Sequence, residues 1–181
     1  MKQAILALCA LGTVAYALAP SAPTPSSGAA PAAAPFHCQI PCGIYGDKMR
    51  VDMLMEDAAT IEKGMQTLTG LDVSADRNQV VRWIMNKDDH AQNVQDVVAQ
   101  YWLAQRVKKP ADASDAAAMD KYHRQLEHMH GITVDAMKCK QTTDPAHVES
   151  MRKHALDFSA LYFSPEDLEH VRTHHAGGDE K

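Results

Sequence analysis

From Asp47 onward, apolar residues recur at helical intervals. Leu54, Ala58, Ile61, Met65 and Leu68 follow one another at 4-3-4-3 spacing, which puts them on one stripe of a helix over 47–70. Asp47 fits its N-cap and Gly70 its C-cap. Leu71–Ala75 is a connection, with Ser74 a candidate cap for the next helix. That second helix, over 76–107, carries Val80, Ile84, Ala91, Val94, Val98 and Tyr101 on one face. Its stripe is interrupted by Asn86-Lys87-Asp88-Asp89-His90, with Lys87 where an apolar residue is expected. The run reads either as a charged patch leaning outward or as a polar shell supporting a site. Lys108-Lys109-Pro110 stops the helix, and Ser114 can cap a third that runs to about Lys140 with Met119, Tyr122, Leu126, Met129, Thr133 and Ala136 as its stripe. Asp144-Pro145 opens a fourth, whose Val148, Met151, Ala155, Phe158 and Tyr162 stand at 3-4-3-4 spacing. Ser164-Pro165-Glu166-Asp167 starts a short last helix by the same logic.

Long amphipathic helices joined by short connections, with no alternating strand pattern, predict an all-α fold, an antiparallel four-helix bundle over 47–175 with a tail over 176–181. Ten methionines and few aromatics fit an interior of Met, Leu, Val and Ala. Each helix can bury its stripe only against the others. The segment before the first helix must therefore be held by something other than a core of its own.

The chain ahead of the bundle divides in three. Residues 1–19 have Lys2, an apolar run and the small-residue ending Ala17-Leu18-Ala19, the pattern of a secretory signal peptide. Residues 20–36 are Pro, Ala, Ser, Thr and Gly up to Phe36, a linker or second leader part that cannot bury enough apolar surface to fold. Leu18-Ala19-Pro20 also resembles the end of the signal part of two-part plastid leaders in some algae, so the expected destination is outside the cell or an organelle, with no stable membrane association after processing. Residues 37–46 form a dense cluster of chemistry. Lys2 is the only charged residue before His37, which leaves 17 basic against 23 acidic side chains, a formal −6, from His37 onward. That balance, without a basic stripe, argues against nucleic-acid binding.

The cluster is His37-Cys38-Gln39-Ile40-Pro41-Cys42-Gly43-Ile44-Tyr45. Cys38 and Cys42 are separated by three residues and converge only if the chain turns between them. Pro41 fixes its own φ and Gly43 is conformationally free, so a tight hook can form. If the chain is cut between Phe36 and His37, the new α-amine, the Cys38 backbone nitrogen and the Cys38 sulfur make fused five-membered chelate rings. Cys42 then completes a square plane of two nitrogens and two thiolates, with the His37 imidazole free to approach axially. That geometry admits Ni(II) or Cu(II). The plainer alternative for two close cysteines in an exported protein is a labile disulfide.

His-Cys-x-x-Pro-Cys-Gly-x-Tyr resembles the hook of nickel-containing superoxide dismutases at every fixed position from His37 to Tyr45. The resemblance implies a helical bundle behind the hook, a homohexamer and a peptidase that exposes His37. It implies nickel held by His37, Cys38 and Cys42, with Pro41 shaping the turn and Tyr45 controlling the access of small anions. The implied reaction is disproportionation of superoxide to dioxygen and hydrogen peroxide, with nickel alternating between Ni(II) and Ni(III). Asp52 stands where the family has a Glu that orients the axial imidazole, and His90 where some members have an Arg, so the surroundings of the metal depart from the family pattern at both positions. Lys48, Arg50 and Lys87 are candidate positive charges near the hook for an anionic substrate.

The alternative function is a nickel or copper store or carrier, or a redox-sensing module, using the same hook. His123, His128 and His130 on one helix read as surface histidines, His170, His174 and His175 as a solvated face, and Cys139 as a core or surface thiol. Trp83 and Trp102 read as packing or interface residues.

Overall fold

The computed structural model describes residues 45–169. The expected leader and linker over 1–36, residues 37–44 of the hook motif, and residues 170–181, which include the end of the expected last helix and the expected tail over 176–181, lie outside them. Four long helices follow in order: α1 Asp47–Gly70, α2 Arg77–Asp96, α3 Ala116–Gln141 and α4 Ala146–Tyr162. A last helical turn covers 165–169. α1 packs on α2 and α4, α2 on α3, and α3 on α4, so the helices close a ring with short links and alternate in direction. The expected four-helix bundle is what forms, and there is no strand among the described residues. No helix among the described residues is long and apolar enough to cross a membrane.

Much of the core follows the stripes read from the spacing: Leu54, Ala58, Ile61 and Met65 from α1, Ala91 and Val94 from α2, Met129 and Ala136 from α3, and Val148, Met151, Ala155 and Phe158 from α4. Val51, Ile132 and Cys139 are buried beside them, while the stripe residues Leu68, Val80, Met119, Tyr122, Leu126, Thr133 and Tyr162 are only partly buried. Three local readings change. Asp47 is the first helical residue, with Gly46 ahead of it and no side-chain cap, because its carboxylate is taken elsewhere. Asp76, not Ser74, occupies the cap position of α2. Ser74 N–H and Ala75 N–H instead donate to Asp72 Oδ1 in the preceding turn. Asp115, not Ser114, caps α3, accepting from the Ala118 N–H. Asp144 keeps a capping role by accepting from the Ala146 N–H at 3.0 Å, although α4 begins after Pro145.

The second helix departs most from its sequence reading. Its last ten residues, Val97–Arg106, are a π-helix. Widening the turn brings the neighbours Val97 and Val98, and then Tyr101 and Trp102, inward together. In the first half of α2 the polarity is inverted. Ile84 is 41 % exposed while Lys87 is 3 % exposed. The α1–α2 contact at Gly64 favours this, since a Cβ there would stand 3.3 Å from Lys87 Cβ and glycine leaves the lysine stem room to pass. The Lys87 ammonium then donates to the Cys139 carbonyl at 2.5 Å, the Lys140 carbonyl at 2.9 Å and Asp88 Oδ1 at 2.8 Å. Two of these are orphan carbonyls of the α3 C-terminus, where a cation is favoured. At this residue the polar run is thus not an outward patch.

Candidate functional site

Of the hook, only Tyr45 falls among the described residues; His37, Cys38, Pro41 and Cys42 lie outside them. Tyr45 is 43 % exposed and sits at the end of the bundle where α1 begins. Its ring lies under the Arg106 guanidinium, 4.2 Å from the centroid, and meets Tyr101 edge to face at 6.2 Å. Cation–π contact and aromatic packing together fix the point at which the hook leaves the bundle.

Arg106 and Tyr101 are themselves fixed by Asp47. Arg106 Nε donates to both Asp47 oxygens at 2.9 and 3.2 Å, and Nη2 donates to Oδ2 at 2.5 Å. Tyr101 Oη donates to Asp47 Oδ1, and Tyr162 Oη donates to Oδ2 at 2.9 Å. One carboxylate therefore ties together the start of α1, the π-helical segment and the end of α4. Burial alone would push the Asp47 carboxyl up, but the three donors and the Arg106 charge outweigh it and hold it below the usual range. Burial and the Asp47 carboxylate push the Tyr162 phenol to about 12 and move Tyr101 upward as well. Both phenols stay protonated donors at any physiological pH. The π-helix matters here because it sets Tyr101, Trp102 and Arg106 at angles an α-helix would not supply, and such segments recur at functional sites.

A cleft of about 450 Å³ opens beside this network, lined among others by Tyr45, Lys48, Arg106, Tyr162, Ser164 and Asp167. Two buried donors, Arg50 Nε and Trp102 Nε1, have no acceptor among the described residues. Both belong to side chains in contact with Tyr101: the Arg50 guanidinium lies 4.9 Å from its ring centroid, and the Trp102 ring meets it edge to face at 5.2 Å. Buried N–H groups without acceptors are uncommon.

A sequence model of the nickel-containing superoxide dismutases matches residues 30–165, from ahead of the hook to just past α4. The chain belongs to that family. No curated protein and no solved structure matches it. As a nickel superoxide dismutase the protein is an oxidoreductase with a nickel cofactor and superoxide as substrate. Two cysteines and a histidine, the soft and nitrogen donor types that suit nickel, lie within 37–42 of the matched span. Among the described residues no three histidines, cysteines or carboxylates converge, so nothing there competes with the hook as a full ligand set.

The remaining site readings separate. Asp52 is half-buried on α1. His90 lies across the α1–α2 contact, where its Nδ1 is 2.6 Å from Asp57 Oδ1, and Asn93 donates to the other Asp57 oxygen at 2.6 Å. The nearest α1 partner of His90 is thus Asp57, further along the helix than Asp52. Lys48 is paired with Asp167 at 2.9 Å, and Lys87 is spent on α3. Trp102 is core; Cys139 is a buried thiol pushed up to about 11 by burial and by Asp135. The Asp47 network escaped the sequence reading, which took Asp47 for a cap and Tyr101 and Tyr162 for stripe residues. A tyrosine on an apolar stripe was the available signal, since its hydroxyl must find a partner when buried.

Proposed function

We propose that superoxide is disproportionated at an N-terminal hook in which His37 supplies its α-amine and imidazole, Cys38 its backbone nitrogen and thiolate, and Cys42 its thiolate, after a peptidase cuts between Phe36 and His37. The observation that carries this reading is the seating of Tyr45, the last hook residue, on Arg106 and Tyr101 beside an open cleft. When bound, nickel supplies the one-electron Ni(II)/Ni(III) couple that the two half-reactions need.

The chain's own residues do the rest. Pro41 shapes the turn that lets the two thiolates converge, and Asp52 orients the His37 imidazole from α1. His90, held by Asp57, extends that polar layer. The Tyr45 ring is pinned by Arg106, so its phenol stands at the mouth of the cleft and limits which small anions pass. Neighbouring subunits of a homohexamer enclose the side of the hook that one bundle leaves open. The leader directs the chain to an exported or organellar location, and residues 20–36 are removed with it.

A chain with formal charge −6 repels an anionic substrate, so local cations must offset it. Lys48, Lys87 and Arg106 each have a carboxylate partner. Arg50 has none among the described residues and contacts Tyr101, next to Tyr45. Arg50 is therefore the guiding cation in this reading. Arg50→Gln should lower the rate at low ionic strength and flatten its salt dependence; an unchanged salt profile removes this role.

The test of the hook is N-terminal sequencing of the purified protein with metal analysis and a superoxide assay. The expected result is a chain starting at His37 with one nickel per subunit, and a Cys42→Ser variant that loses metal and more than about 100-fold in activity, since losing a ligand costs more than losing a ligand's partner. A mature chain starting elsewhere removes the amine ligand and sinks the reading. A nickel-loaded chain starting at His37 that leaves superoxide untouched makes the protein a nickel store.

A further inference from the structure

His128 on α3 and His154 on α4 bring their Nδ1 atoms to 3.1 Å, with ring centroids 5.4 Å apart and ring planes inclined by 55°. Both are half-buried, and neither touches the Asp47 network. The sequence reading placed His128 among surface histidines, as His123 and His130 are; His128 instead turns toward the α3–α4 seam. Gly131 is what admits its partner. A Cβ there would lie 2.6 Å from His154 Nε2 and 2.7 Å from Cδ2 and Cε1, so the ring occupies the place of the missing side chain, over the α3 backbone. The pair is thus built into the contact between two helices.

Two states of the rings bring their Nδ1 atoms this close. In one, a single proton is shared as an N–H···N hydrogen bond. In the other, both rings carry their protons on Nε2, and the two Nδ1 lone pairs converge on a cation. Two imidazole nitrogens bound at about 2.0–2.1 Å to one ion stand about 2.9 to 3.4 Å apart, depending on whether the ligand angle is planar or tetrahedral. The observed 3.1 Å falls inside that span. Burial keeps His128 below its ordinary value, with Asp157 opposing and His154 adding to the shift, so the ring is neutral, the form that binds metals. Asp157, which His154 precedes by less than one helical turn, adds a carboxylate charge near the pair while its Oδ2 is held by Lys153 at 2.5 Å. No third ligand residue converges among the described residues, so water must complete the coordination.

We propose that His128 and His154 form a second metal site, separate from the hook, that takes one borderline divalent ion through both Nδ1 atoms. The order of affinities for such nitrogen ligands makes Cu(II) the tightest and leaves Ni(II) and Zn(II) weaker. This site does not depend on the hook chemistry and does not require superoxide turnover.

The test is titration of Cu(II) into the nickel-loaded enzyme, read by electron paramagnetic resonance and equilibrium dialysis. The wild type should take up one Cu(II) per chain with hyperfine coupling to two imidazole nitrogens while its nickel content stays constant. His128→Asn and His154→Asn should each weaken that binding by roughly tenfold or more. Gly131→Ala, which drives the His154 ring from its seat, should do the same. His123→Asn, on an exposed position of the same helix, should change nothing. No uptake by the wild type overturns the proposal, as does uptake that survives either seam variant. Circular dichroism of each variant separates a lost site from a lost fold.

Discussion

Two charged residues are withdrawn from water at opposite ends of the bundle, and they end in different places. Lys87 terminates on two backbone carbonyls of α3 and on its sequence neighbour Asp88. Asp47 terminates on three side chains from two other elements, next to a cleft and under an exposed tyrosine. The two lie well apart: Gly64, which Lys87 packs against, is 17 residues beyond Asp47, about 25 Å along α1 at a rise of about 1.5 Å per residue. A charge satisfied by main chain closes a helix end. A charge satisfied by side chains that also hold Tyr45 fixes the position of that tyrosine. The difference lies in what the partners do next, and Asp47 is also the less buried of the two, at 17 % exposed against 3 % for Lys87.

The strongest way to break this contrast is Lys87→Ala. It strips two α3 carbonyls of their donor in a dry environment and should cost about 3 kcal/mol, read as a lower thermal midpoint, with activity per bound nickel unchanged. A fall in activity per nickel would tie Lys87 to the hook and erase the contrast. Asp47→Asn should cost somewhat less, about 2 kcal/mol, because Arg106 keeps some access to water. It should also loosen Tyr45 and lower activity per nickel. The pH dependence has a definite sign. Asp47 is held below its ordinary 3.8, so its contribution is complete above that pH and is lost as pH falls through the lower folded value. The wild type should lose stability in that acid window more steeply than Asp47→Asn. Equal slopes in acid melting curves would mean that the carboxylate carries no net interaction. The smallest effect is expected from Tyr162→Phe, which removes one of the donors to Asp47 but keeps the ring packed on Trp102 and Phe158. About 1 kcal/mol of stability should go, with little change in activity. A loss as large as that of Asp47→Asn would make Tyr162, and not Arg106, the main support of the network.

Much of the architecture was legible because helical spacing reports burial directly. Leu54, Ala58, Ile61 and Met65 are core for the reason the 4-3-4-3 pattern stated. The pattern failed at Lys87 and Ile84, since a stripe cannot register that Gly64 lets a lysine stem through to reach another helix's carbonyls. It failed again over 97–106, where a π-helix changes the angle between successive residues and a 3.6-residue period no longer applies. The polar end of α1 was misread because an aspartate before an apolar stripe is usually a cap, and only the approach of Arg106, Tyr101 and Tyr162 from distant positions gave Asp47 another use.

The sequence by itself determined the bundle, and six of the nine consecutive residues from His37 to Tyr45 carry the family's local pattern, which needs no partner from elsewhere in the chain. The tertiary structure decided how distant residues meet around Tyr45 and along the helix seams. Which arginine lies over Tyr45, which acid binds His90, and how His128 comes to face His154 are contacts between residues far apart in sequence. Such contacts follow from the angles and separations at which helices pack, and helical periodicity carries no record of them.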